Sequence, residues 1–342
     1  MNLHRRFALF VLCTSATLML ASLAAAQTYS ITDLGTFPGG TVSQGEAVNQ
    51  HGLVAGYARN EAYNAHGFLW TAAQGLRTLP SIPPQSNFAI AQAINCFGET
   101  AGYSDYDELE NEHAVIWIGQ TLVDLGTLPG GTISEATGIN DDRHVTGFSD
   151  GTDISPHAFV WNSTQGMEDL GTLPGGYYSQ GLAINGSSQV AGFSNAADGQ
   201  WHAFLWSRAT GMVALPNVPG ATSASANAIN GLGQVAGGSG SYAVIWDASG
   251  QKVQSLGTLQ GQTWSTAFGI NNKGQVIGWS GYTAFVWTRE GGMQDLNDLI
   301  PPDSGWSLTL PVGINDDGQI TGQGNINGEE HGFLLTPVVA AK

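Results

Sequence analysis

Apolar and polar residues alternate along this chain in short runs, and Gly, Asn, Asp, Ser or Pro breaks each run after a few positions. Such two-residue alternation predicts half-buried β-strands, and no stretch keeps the 3.6-residue spacing of an amphipathic helix. Residues 169–206 show the pattern most clearly. One strand is expected over 179–184, a second over 189–193 and a third over 202–206, and 212–215 supplies a fourth after the turn 207–211. We label these a to d.

The same four pieces recur through the chain. Strand a ends at an Asn each time: Asn49, Asn95, Asn140, Asn185, Asn230, Asn271 and Asn315, separated by 46, 45, 45, 45, 41 and 44 residues. A fixed period of this length marks stacked supersecondary units. Strand c recurs with a leading His and a closing Trp, as in His66 to Trp70 and His202 to Trp206. The a–b turn is Asn followed by Gly or polar residues, a sequence that accepts positive φ and bonds its own backbone.

Strand a is small on one face. Two residues before each Asn stands Ala or Gly, and four before stands Gly, Ala or, once, Pro311. Crowding towards a central axis demands such residues, so strand a is expected innermost in a ring. Phase then predicts closure. The chain opens on a spare d-type strand, 29–34, and its last unit has a, b and c but no d. Pairing the two completes seven four-stranded blades and hides both terminal edges. The expected fold is an all-β, seven-bladed β-propeller over 27–342.

Composition fits many short strands and turns: 48 Gly, 10 Trp and 11% charged residues. Residues 1–26 read as a signal peptide, with Arg5-Arg6, an uncharged run from Phe7, and Ala24-Ala25-Ala26 before Gln27. Export is therefore expected, to a secreted, extracellular or periplasmic location, with no stable membrane insertion after cleavage. Loss of Arg5 and Arg6 takes the formal net charge from −17 to −19. So acidic a chain disfavours phosphate backbones, and nucleic acid is excluded as an expected partner. Only Cys96 remains after cleavage, so stability is expected from packing and ring closure.

Residues 125–131 and 170–176 read Leu-Gly-Thr-Leu-Pro-Gly-Gly, and His157-Ala158-Phe159 and His202-Ala203-Phe204 follow at fixed distance. In this the chain resembles the HAF-repeat family of extracellular bacterial proteins over nearly all its mature length. Units five and six depart from the pattern, with Tyr242 and Thr283 for His, and Ala214 and Ser255 for Asp. The resemblance implies secretion and a repeat fold and carries over no catalytic residue.

In a propeller the d–a and b–c loops share one face, and the b–c loops here vary most. Variable loops on a rigid scaffold are where binding concentrates. Aromatics gather at that rim: Tyr57, Tyr103, Phe148, Tyr178, Phe193, Trp264, Trp279 and Trp306. Aromatic faces stack on sugar rings and other flat apolar ligands, and they also fill inter-blade space. These eight are the candidate ligand-binding residues.

The strand-c histidines lie one per blade, which suits hydrogen bonding within the scaffold rather than one shared metal ion. Near-neighbour pairs are expected for His113 with Asp124, His157 with Asp169, and His331 with Asp33. The acidic loop 105–112 lacks an EF-hand pattern and reads as hydrated surface. No metal and no cofactor is expected. Nucleophile-elbow, zincin, P-loop and dinucleotide motifs are absent. Glu46 and Glu135 break the repeat on strand a and form the acid/base pair to test if the chain is a glycosidase or lyase. The sequence favours a secreted binding module for an extracellular glycan or protein partner. The alternatives are a polysaccharide-active hydrolase or lyase on the same face, and a surface-structural protein without a small ligand.

Overall fold

The computed structural model describes residues 27–338 apart from 84–87, 107–110 and 153, so the expected leader and the middle of the acidic loop lie outside the described residues. The chain forms seven four-stranded antiparallel sheets arranged as a seven-bladed β-propeller. In blade four the strands are Ser179–Ile184, Val190–Asn195, Trp201–Ser207 and Gly211–Ala214, in the order a-b-c-d. The remaining blades follow it. The expected closure is present: Tyr29–Gly35 pairs antiparallel with Glu329–Pro337 and becomes strand d of blade seven. Tyr29 and Leu34 bury their side chains there, at 2% and 4% exposure, so the closing strand carries core as well as edge.

Strand a is innermost in every blade and lines a central channel. Its small residues meet the neighbouring blades directly. A Cβ on Gly181 would stand 2.4 Å from Thr146 Oγ1 of the preceding blade, and one on Gly138 would stand 3.2 Å from Ile184 N of the following blade. Between these two positions each strand a carries a β-bulge. In blade one, Gly45 pairs with Gly56 and Ala47 with Ala55, leaving Glu46 unpaired, and the same skip occurs in the other six. A bulge re-aims its extra side chain, and here it aims that side chain into the channel.

Blades are joined by apolar packing and by small polar residues. Phe68, Phe159, Phe204, Phe285 and Phe333 of strand c are fully buried. Ser43, Ser134, Ser179 and Ser265, at the start of strand a, each donate to a carbonyl of the preceding blade at 2.6 Å and accept a strand-c amide at 2.8 Å.

The repeated asparagines close a ring of their own. Each Nδ2 donates to the backbone carbonyl of the next blade's Asn, and Asn315 returns to Asn49, at 2.8–3.3 Å throughout. Each Oδ1 accepts the amide four residues ahead, and in every blade but the seventh also the amide two ahead, as Asn185 does from Ser187 and Gln189 at 3.0 Å. All seven are at most 5% exposed. Buried polar groups cost free energy unless paired, and here all are paired by the same set of bonds. The third residue after each Asn has positive φ. It is Gly in five blades and Arg143 or Ser188 in the other two.

Candidate functional site

The d–a and b–c loops share one face, as the Arg59 amide donating to Val42 O at 2.9 Å shows for blade one. On that face the eight aromatic candidates separate by role. Tyr178 and Phe193 lie 6.2 Å apart, and Trp201 meets both edge-on at 5.2 and 5.5 Å. Trp264 and Trp279 converge on Tyr282, at 4.9 and 6.0 Å, and Phe268 packs edge-on against Trp279 at 5.1 Å. Trp306 instead rests on buried Phe333, 6.2 Å away, and belongs to the packing of blade seven. Tyr57 donates to Gln44 Oε1 at 3.3 Å, Tyr103 packs on Phe88 at 5.9 Å, and Phe148 lies opposite Glu135 in the a–b register.

The structure adds two aromatics that the sequence pattern did not single out. Trp201 and Tyr282 are 41% and 74% exposed. Trp201 precedes the His that marks strand c, so it reads as loop although it begins the strand. Tyr282 follows Gly281 in the tight turn between strands b and c of blade six, and both have positive φ, 56° at Gly281 and 68° at Tyr282. A bulky residue there is strained, by about 1–3 kcal/mol, and persists where its surroundings hold it. Its ring packing on Trp264 and Trp279 does so.

Beside the first cluster a cleft of about 350 Å³ opens between blades four and five, lined by Phe193, Trp201, Ser223, Ala224, Ser225, Gly238 and Gly240. It exists because the repeat lapses. The residue after the strand-b Gly is Tyr57, Tyr103, Phe148, Phe193 or Trp279 in five blades, Gln323 in blade seven and Gly238 in blade five, so in blade five no side chain fills the gap.

Carboxylates stand near Tyr178, whose phenol feels the Glu135 charge. Glu135, on strand a of blade three, forms a side-chain hydrogen bond with Glu112, on strand c of blade two. Burial pushes Glu135 up to about 8, and the Glu112 charge and hydrogen bond push the same way. Burial also raises Glu112, opposed by its hydrogen bond with Glu135, with Asp105 adding to the rise. Two carboxyls in contact hold one proton because they cannot both ionise. Burial raises the Tyr103 and Tyr178 phenols, and the Glu135 charge adds to both shifts. Gln180 Nε2 donates to the Tyr178 hydroxyl at 2.6 Å.

The carboxyl that Glu135 bonds is Glu112. Glu46 lines the channel one bulge further in, where burial pushes it up to about 7 against the opposing hydrogen bond from Gln44.

The histidine pairs form as spaced. His113, His157 and His331 each present Nδ1 at 3.0 Å from a carboxylate oxygen of Asp124, Asp169 and Asp33. His202 turns instead to Asp198 in its own b–c loop, with Nε2 at 3.0 Å, and His66 lies 3.0 Å from Asn60 Nδ2. Each pair is local to one blade. Among the described residues no group of three or more His, Cys, Asp or Glu is placed to hold a metal ion.

No protein-family model and no curated protein sequence matches the chain. Solved structures share the fold at low identity. The β-propeller domain of the Trilobed protease from Pyrococcus furiosus is 10% identical, with 86% of this chain and 94% of that one covered and a TM-score of 0.53. Virginiamycin B lyase from Staphylococcus aureus is 8% identical, with 91% and 100% covered and a TM-score of 0.53. An extracellular domain from B. thetaiotaomicron is 9% identical over 90% of this chain, which spans 40% of that one, with a TM-score of 0.46. Likeness at these identities speaks to the fold alone. Among the described residues no helix is long and apolar enough to cross a membrane.

Proposed function

We propose that this chain is an exported binding module that recognises an extracellular glycan on its loop-rich face. The observation that carries the reading is the cleft between blades four and five, lined by Phe193 and the exposed Trp201, with Tyr178 packed against both rings. Rigid aromatics with a polar tip bind sugar rings with little entropy to lose on ordering. The Glu112–Glu135 pair near Tyr178 offers acceptor oxygens for sugar hydroxyls. Export rests on the leader-like residues 1–26 and on the resemblance to HAF-repeat proteins.

One observation favours an enzyme as the second reading: a carboxyl that stays protonated near neutral pH is equipped to act as a general acid. The contact between Glu112 and Glu135 argues against glycoside hydrolysis by these two carboxylates. That chemistry sets the pair about 5–9.5 Å apart, whereas these two are in hydrogen-bond contact.

The test is a screen of residues 27–342 against bacterial and plant polysaccharides. A ligand is expected whose affinity falls about tenfold or more in Trp201→Ala, an amount typical of a central aromatic anchor. Loss in Trp264→Ala or Trp279→Ala instead would move the site to blade six. No binding across the array would overturn the glycan reading and turn the search to extracellular protein partners. Product analysis on any bound glycan, with Glu112→Gln as control, decides whether catalysis accompanies binding.

A further inference from the structure

The central channel is a second cavity, apart from the rim cleft, of about 510 Å³. That lies within the range of about 300–1,000 Å³ common for small-molecule sites. Towards the Asn ring it is bordered by a uniform collar, Val48 in blade one and Ile in the other six. Above the collar stand the seven bulge residues, and no two of them are alike: Glu, Gln, Thr, Leu, Asn, Phe and Val from blade one to blade seven. Positions that hold this scaffold together repeat their residue, as the Asn ring does. The bulge position keeps its geometry in all seven blades and changes its chemistry in each.

The changes are grouped in space. Glu46, Gln92 and Thr137 make a polar arc over blades one to three, and Phe268 and Val312 make an apolar arc over blades six and seven. Most of the polar capacity is already used. Thr137 Oγ1 donates to Gly181 O and Asn227 Nδ2 to Ala267 O, both at 2.8 Å in the next blade. Gln92 bonds the Tyr103 hydroxyl. Glu46 differs: Gln44 Nε2 donates to Oε1 at 2.8 Å, and no described residue donates to Oε2. Among the described residues it is the one ionisable side chain lining the channel. An enclosed carboxylate with spare acceptor capacity gains most from a cation that shares its site. The chain's charge of −17 also draws cations towards it.

We propose that the channel binds a small amphiphilic amine, its ammonium group at the Glu46 carboxylate and its apolar body against Phe268 and the isoleucine collar. Specificity resides in the bulge ring, because a bulge lets each blade present a different side chain without altering the ladder around it.

The experiment is calorimetric titration of residues 27–342 with phenethylamine, tryptamine and a trimethylated analogue of each, against phenylpropionate and indole-3-propionate as matched anions. At least one amine is expected to bind with a Kd below about 1 mM and the anions not to bind. Glu46→Gln is expected to weaken the amine about tenfold or more without lowering the melting temperature, since it removes a desolvated charge. Ile184→Trp, which fills the collar, is expected to abolish binding. Trp201→Ala, at the rim cleft, is expected to leave it unchanged, so failure of the glycan reading and failure of this one are separable. The proposal is overturned if none of the amines binds, if Glu46→Gln binds as well as the wild type, or if Trp201→Ala removes binding, which would place the amine on the rim aromatics.

Discussion

On the face that carries the asparagines, seven blades do one thing. Each Asn caps its own turn with Oδ1 and reaches the next blade with Nδ2, and the bonds join into a closed circle. On the loop-rich face the blades diverge: Gly238 stands where five blades place a ring, Tyr282 occupies a strained turn, and Glu135 of blade three bonds Glu112 of blade two. The contrast teaches where a repeat protein keeps its stability and where it keeps its chemistry. A bond present in all seven copies belongs to the ring, and a side chain present once is free of that duty. The cleft, the carboxyl pair and the bulge ring are all singular.

Removing the closing strand should break the contrast most severely. A chain starting at residue 37 loses strand d of blade seven with buried Tyr29 and Leu34, and it opens a sheet edge. It is expected to lose about 10 °C or more of melting temperature, or cooperative unfolding altogether, read by calorimetry. Both faces should fail together, since both depend on the ring.

Next comes a single link of the Asn ring. Asn185→Ala removes donations to Asn230 O and Gln189 Oε1 and orphans the amides of Ser187 and Gln189. A loss of about 2–4 kcal/mol is expected from denaturant titration. Tyr63→Ala, on the opposite face and 63% exposed, should stay within about 0.5 kcal/mol. Equal effects at the two sites would sink the division of labour between the faces.

Overpacking strand a tests the inter-blade contact. Gly181→Leu and Ala183→Leu should each cost about 1–3 kcal/mol. Gly181→Leu is expected to be the worse of the two, because its Cβ would meet Thr146 Oγ1 at 2.4 Å while Ala183 borders the channel.

The smallest effect is in pH dependence. Burial raises Glu46 to about 7 and Glu135 to about 8. Carboxyls whose folded pKa lies above the unfolded value bind more protons when folded. Their favourable contribution is therefore complete below about pH 4.5 and is lost as pH climbs through 7 and 8. Melting temperature should decline over that window. Glu135→Gln and Glu46→Gln should each flatten the decline and stabilise at about pH 8.5 by about 1–3 kcal/mol, less than the shifts alone would give because water in the channel and at the rim screens the charges. A profile unchanged in both variants would show that neither carboxyl is held protonated.

Much of the frame is visible in the residues themselves. The Asn spacing, the small face of strand a and the missing last d strand suffice for seven blades and for closure, because the first two are local demands repeated seven times and the third fixes their phase. The bulge is less visible. Gly45-Glu46-Ala47 alternates as a plain strand would, and the skipped pair shows only when strand b lies beside it. The rim is less visible still. Glu135 stands out as a break in the repeat, but Glu112 sits in a loop that reads as hydrated surface, and the two meet only where blade two packs on blade three. Trp201 lies one residue outside the strand motif and joins an aromatic cluster only where it meets Tyr178 and Phe193.

Alternation, turn residues and period determine the blade, the number of blades and the strand that closes them, since backbone pairing and crowding at the axis follow from near neighbours and their repetition. Tertiary structure alone decides which side chains of different blades share a cleft, a proton or a channel. Those meetings join residues tens of positions apart, and they depend on how each blade is turned against the next, a quantity that no single repeat contains.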